Sequence, residues 1–131
     1  MRIRTPIRNI AAALAGIAAC AALPVWAHHS WAMYDADRII AVTGVVTRVE
    51  WTSPHVFFYF ESTDDDGNTV EWTAEMDPPV LLRRYGLLPD MIAPGTIVKP
   101  TGVPAKTGAP VMRAVFIELP DGTEIRVSSR V

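Results

Sequence analysis

The sequence predicts an all-β domain, and three observations carry that expectation. Short runs rich in Val, Phe, Tyr and Thr alternate apolar and polar residues with a period of two. Turn signals such as Asp66-Gly67-Asn68 and Asp121-Gly122 separate them. A single helix-start signal falls between the third and fourth runs. The expected order is three strands, a short helix, two more strands and a tail strand. That is the order of a small OB-like barrel of five to six strands with one short helix. A β-sandwich or a cupin-like roll would be the alternative ways to bury the same rows.

Residues 39–51 form the first expected strand, with Val45, Thr47, Val49 and Trp51 sharing one face and Gly44 marking a bulge or bend. Thr52-Ser53-Pro54 ends it. Residues 56–61 follow, with Val56, Phe58 and Phe60 on one face and Phe57, Tyr59 and Glu61 on the other. After the aspartate-rich turn, residues 69–75 return with Val70, Trp72 and Ala74 inward and Glu71, Thr73 and Glu75 outward. The run Asp64-Asp65-Asp66 lacks the further acidic ligand of a calcium loop, so it is assigned to a solvated hairpin tip. Asp77-Pro78 supplies an N-cap acceptor and a first-turn proline for a helix over 80–85, stopped by Gly86. Arg83 and Arg84 complement the macrodipole of its last turn. Residues 96–101, 111–119 and 124–127 complete the strands. The predicted interior holds Val49, Trp51, Phe58, Phe60 and Trp72.

Residues 1–27 have the three parts of a cleavable signal peptide. Arg2, Arg4 and Arg8 make a basic start without acids, residues 10–23 are uncharged and apolar, and Pro24-Val25-Trp26-Ala27 closes the run. Fourteen uncharged positions ending at a proline fall short of the roughly 20 a spanning helix needs. Ile17-Ala18-Ala19-Cys20 has the form of a lipobox, but the apolar run continues through Leu23, which favours cleavage after Ala27. The expected organisation is a signal peptide at 1–27, an extended arm at 28–38 and a barrel at 39–131. The compartment is then periplasmic or extracellular.

Residues 28–131 carry nine bases against 14 acids, a net charge of −5. Nucleic-acid backbones attract proteins through Lys and Arg, so this balance argues against such a partner. The single cysteine, Cys20, lies in the signal segment, and no disulfide framework is available to the exported domain.

His28-His29-Ser30, Tyr34-Asp35, Thr43-Gly44-Val45-Val46 and Trp51-Thr52-Ser53-Pro54-His55 recur with Trp72, Leu81-Leu82-Arg83-Arg84, Pro94-Gly95-Thr96 and Gly102-Val103-Pro104-Ala105. Together these resemble small exported bacterial proteins classed as a domain of unknown function. Members of that family open the mature chain with His-His-Ser and carry Asn-Pro-His after the first strand. Ser53 stands where the family more often has Asn. The resemblance implies a compartment and a fold, and brings no activity with it.

All three histidines, His28, His29 and His55, belong to the exported part. Imidazole is the commonest side-chain metal ligand, and sets of nitrogen donors suit Cu(II). Cleavage after Ala27 would add the α-amine of His28. Amine and imidazole of His28, with His55 or His29 as third donor, would make a copper site resembling a histidine brace. Met33, Asp35 and Asp37 follow closely in sequence. Catalysis has less support. Ser53 and His55 lack an orienting third group and a nucleophile motif, so no enzyme is expected. The other function class is a non-metal binding module of the OB type. It would recognise an envelope glycan, a small ligand or a protein, with Phe57 and Tyr59 as its outward aromatics.

Processing is directly measurable. Intact mass and N-terminal sequencing of the exported protein are expected to show a chain beginning at His28, whereas a lipidated start at Cys20 would place the protein on a membrane surface.

Overall fold

The computed structural model describes residues 31–130, so the expected signal segment and His28 and His29 lie outside the described residues. Seven strands and one α-helix follow a short 3-10 turn at Trp31–Met33. They are β1 (Ile40–Ala41), β2 (Gly44–Glu50), β3 (Val56–Thr63), β4 (Thr69–Met76), α1 (Pro79–Tyr85), β5 (Ile97–Pro104), β6 (Val111–Glu118) and β7 (Glu124–Arg126). A second 3-10 turn, Pro89–Ile92, follows α1. Strands β5, β2, β3, β4 and β6 lie side by side in that order, and β5 pairs with β6 to close a five-stranded barrel. The β4–β6 pairing is parallel and the others are antiparallel. This is the OB-like arrangement the sequence predicts, with β1 added against β5 and β7 against β6.

The interior follows from alternation on β3. Val56, Phe58 and Phe60 are fully buried and oppose Met76, Ala74 and Trp72 of β4. Phe58 and Phe60 rings lie 5.4 Å apart, and Phe60 stacks on Trp72 at 6.3 Å. Val49, Trp51 and Trp72 pack against this core but stay partly exposed. On β2 the expected face is corrected. Val46 is buried while Val45 is 42% exposed, because a bulge between Val46 and Arg48 shifts the pairing with β3. The extra residue resets the alternation, so Val46 and Val49 point the same way. Gly44 lies outside that bulge. A side chain there would overlap the Glu61 backbone and the Phe60 ring.

Leu82, Leu87 and Ile92 enter the same core, so α1 and the 3-10 turn after it plug the barrel. Gly86 stops the helix in the left-handed region at φ 95°, and the Leu87 amide bonds back to the Leu82 carbonyl. The start differs from expectation. Pro78 occupies the N-cap position, no side chain caps the helix, and Asp77 is buried. Pro78 and Pro79 carry no N–H, so the first turn has fewer unsatisfied donors to cap. The Asp77 carboxylate is used elsewhere.

Gly102 lies at a second register shift, between β5 and β6, where a Cβ would run into the Arg113 carbonyl and the Ala114 Cα. Gly102→Ala is expected to destabilise the domain by about 1–3 kcal/mol, the usual range for overpacking. Chemical denaturation checks it, and an unchanged midpoint would show that the strands can part without cost.

Candidate functional site

One charged cluster is buried against the outside of the barrel. Barrel register assembles it: Phe57 on β3 opposes Glu75 on β4, and Glu75 in turn opposes Arg113 on β6. Glu75 and Arg113 are 5% and 3% exposed. They do point away from the core, as alternation requires, but both ends of the domain cover them. Tyr34 bridges to Ala105 beside the end of β5, bringing the N-terminal arm across. Val127 bonds to the backbone of Val115 and of Asp77, bringing the C-terminal segment.

The Glu75 carboxylate is the hub. Its Oε2 accepts a 2.7 Å hydrogen bond from the Tyr34 hydroxyl, and its Oε1 accepts from Arg113 Nη1 at 2.8 Å. His55 Nδ1 lies 2.8 Å from the same Oε1. Arg113 also donates to the Met76 carbonyl at 3.2 Å and to Asp77 Oδ1. Asp77 Oδ2 accepts the backbone N–H of Ser129 at 2.6 Å. Trp31 stands over the Arg113 guanidinium at 5.7 Å and meets Tyr34 edge-on at 6.4 Å. Two carboxylates therefore face one guanidinium. Buried charges are tolerated where they are paired and hydrogen-bonded in this way, up to the solvent-facing edge of the cluster.

His55 occupies that edge. It closes the connection between β2 and β3, directly after a cis Ser53–Pro54 peptide. In OB barrels this is one of the two loops through which ligands are commonly held. The side chain is 30% exposed. Nδ1 points into the protein at Glu75, and the ring's other nitrogen is the one available to a ligand. Of the three histidines expected to act together, only His55 lies within the described residues. Among those residues no group of three His, Cys, Asp or Glu side chains is arranged to hold a metal, so His55 contributes one donor and other donors must complete any site.

The sequence expectation names neither Glu75 nor Arg113 as a site residue and only sets Glu75 on the outward face of its strand. A usable signal exists for Arg113. It is the one charge in the apolar run 111–117, and a charged residue in a strand otherwise suited to burial calls for a buried partner. Of the two outward aromatics, Tyr59 has a local partner. Phe57 and Tyr59 are half-buried, and Arg48 stacks on the Tyr59 ring at 3.6 Å while pairing with Glu50. The hairpin tip holds as expected, with Asp64 Oδ1 accepting from the amides of Asp66 and Asn68 at 3.0 and 2.8 Å.

Residues 15–112 match the family described as "Family of unknown function (DUF6152)". No curated protein matches the chain. The matched span contains Tyr34, His55, Glu75 and Asp77 and ends one residue before Arg113.

Burial, the hydrogen bond to Glu75 and the negative charge of Glu75 together raise the Tyr34 hydroxyl far above its ordinary value, with Arg113 opposing them. The folded state keeps the phenol protonated, while the unfolded chain releases that proton near pH 10. Stability contributed by Tyr34 is thus complete below about pH 10 and falls as pH rises beyond it. Tyr34→Phe is expected to cost about 1 kcal/mol at neutral pH and to flatten the alkaline decline. Thermal unfolding across pH 8–11 tests both, and identical alkaline profiles for the two proteins would count against this role.

Proposed function

This chain belongs to that family of unknown function, DUF6152, and we propose that its barrel is a metal-binding module that takes Cu(II) on the outward nitrogen of His55. The observation that carries the proposal is the 2.8 Å contact between His55 Nδ1 and Glu75. A carboxylate on one imidazole nitrogen fixes the tautomer and ring orientation and raises the basicity of the other, as it commonly does behind metal-bound histidines. Glu75 is itself held by Tyr34 and Arg113, so the imidazole is oriented by a rigid support.

The remaining donors would come from the processed N-terminus. The α-amine and imidazole of His28 supply two, with His29 in reserve. Trp31 is only three positions after His28, about 10 Å of extended chain. Donors that are all nitrogen, with no cysteine thiolate in residues 28–131, suit Cu(II), which also stands highest among the divalent first-row ions in affinity. Export by way of the signal segment would expose the amine that the site needs.

Exported protein titrated with Cu(II), followed calorimetrically and by visible absorption, is expected to bind one ion. His55→Ala, His28→Ala and an added N-terminal glycine should each weaken binding at least tenfold. Glu75→Gln should weaken it by about ten- to a hundredfold, the usual range for a residue supporting a ligand. Equal affinity in all of these, or affinity no greater than that of a dihistidine peptide, would remove copper from the account. A non-metal binding module of the OB type would then be the function to pursue.

A further inference from the structure

The corner formed by α1 and the following 3-10 turn has two sides of opposite character. Leu82, Leu87 and Ile92 are fully buried in the core and Tyr85 packs against it, while other side chains of the corner stay on the outside. The outer side carries Val80 at 59%, Leu88 at 40% and Met91 at 38% exposure, together with exposed Arg83 and Arg84. Val80, Arg83 and Arg84 share one helix face by their three- and four-residue spacing. Leu88 follows two residues after the Gly86 stop, and its amide lies 3.4 Å from Met91 Sδ, which turns the Met91 side chain back toward the start of the 3-10 turn. Neither arginine forms an ion pair among the described residues, whereas Arg48, Lys99 and Arg113 all do.

Charge tells what this corner suits. Residues 79–92 hold two arginines and one acid, Asp90, while the rest of residues 28–131 holds seven bases and 13 acids. An anionic surface would repel a domain of this balance as a whole, and this segment is one whose own charge is positive. Unpaired arginines bordered by aliphatic and thioether side chains are the composition of elements that lie in a lipid headgroup layer. An acidic protein partner would answer the arginines alone and leave Val80, Leu88 and Met91 without a role.

The geometry points to α1 and its 3-10 turn as a docking element for an anionic membrane surface. The arginines meet lipid phosphates, and Val80, Leu88 and Met91 enter the headgroup–acyl boundary. The helix dipole benefits from the same arginines, and the two roles are compatible because both need the guanidinium groups at the solvent side of the last turn.

Sedimentation of the exported protein with vesicles tests this independently of metal binding. Vesicles of phosphatidylcholine with phosphatidylglycerol are expected to bind the protein, and phosphatidylcholine alone should bind it far less. Arg83→Gln with Arg84→Gln should weaken binding by roughly thirtyfold, about fivefold for each arginine near the surface. Val80→Ser with Leu88→Ser should also weaken it, with the loss persisting at high salt. A double variant elsewhere, Arg38→Gln with Arg130→Gln, lowers the net charge equally and should bind as the unaltered protein does. Circular dichroism confirms that each variant is folded. Binding that ignores lipid charge, or that falls equally with either arginine pair, overturns the proposal. Capture of an acidic protein that depends on Arg83 and Arg84, with no vesicle binding, overturns it in favour of a protein partner.

Discussion

The Glu75–Arg113 pair gathers the N-terminal arm, the C-terminal segment and a half-buried imidazole in one place. Both residues point out of the barrel, where a charged side chain would ordinarily meet water. Here they are covered, and their desolvation is offset only because each is bonded on several sides. Glu75 accepts from Tyr34 and Arg113 and lies against His55, while Arg113 donates to Glu75, Met76 and Asp77. Such a pair contributes little net stability against an apolar replacement, yet losing either member strands a buried charge at a cost of about 3–5 kcal/mol. It also sits across β4 and β6 at the parallel seam of the barrel. The seam, the N-terminal arm and the C-terminal segment therefore share a single electrostatic fastening.

Asp77 shows how that fastening reaches into local structure. An aspartate before a helix would normally cap it, and here the carboxylate takes Arg113 and the Ser129 amide instead. Two prolines make this diversion inexpensive. Pro78 and Pro79 have no N–H, and their fixed φ suits the entrance to a helix. The helix start thus depends on backbone constraint, and the acid is committed to closing the C-terminal segment over the barrel.

This explains which parts of the molecule were legible in the sequence. Period-two alternation on 56–61 places Val56, Phe58 and Phe60 correctly, because that strand is regular. Alternation fails on β2, where a bulge that no residue announces turns Val45 outward and Val46 inward. Turn chemistry finds the Asp64–Asn68 tip and the Gly86 stop, because both depend on neighbours along the chain. The cluster was not legible for the opposite reason. Glu75 and Arg113 lie 38 residues apart, and pairing them needs the barrel register. Their outward direction was inferred rightly for Glu75. Its burial was missed, since the cover comes from Tyr34 and the C-terminal segment, remote in sequence. His55 stood out by residue type alone, and its orientation became visible only with Glu75 beside it.

The same geometry connects His55 to α1. Val56, the next residue, bonds through its amide to the Asp77 carbonyl at 3.4 Å, and α1 begins two residues after Asp77. His55 and the basic, apolar outer side of α1 therefore flank one short stretch of backbone, from Asp77 to Val80, of about 10 Å at full extension. A barrel resting on a lipid surface through α1 would hold its half-buried imidazole within a few residues' length of the headgroups. Anionic headgroups concentrate cations, and a negatively charged domain that touches them only at this corner would be held in one orientation. The Glu75 carboxylate gives His55 its direction, and on the membrane reading the arginines of α1 would decide which end of the barrel an anionic surface meets.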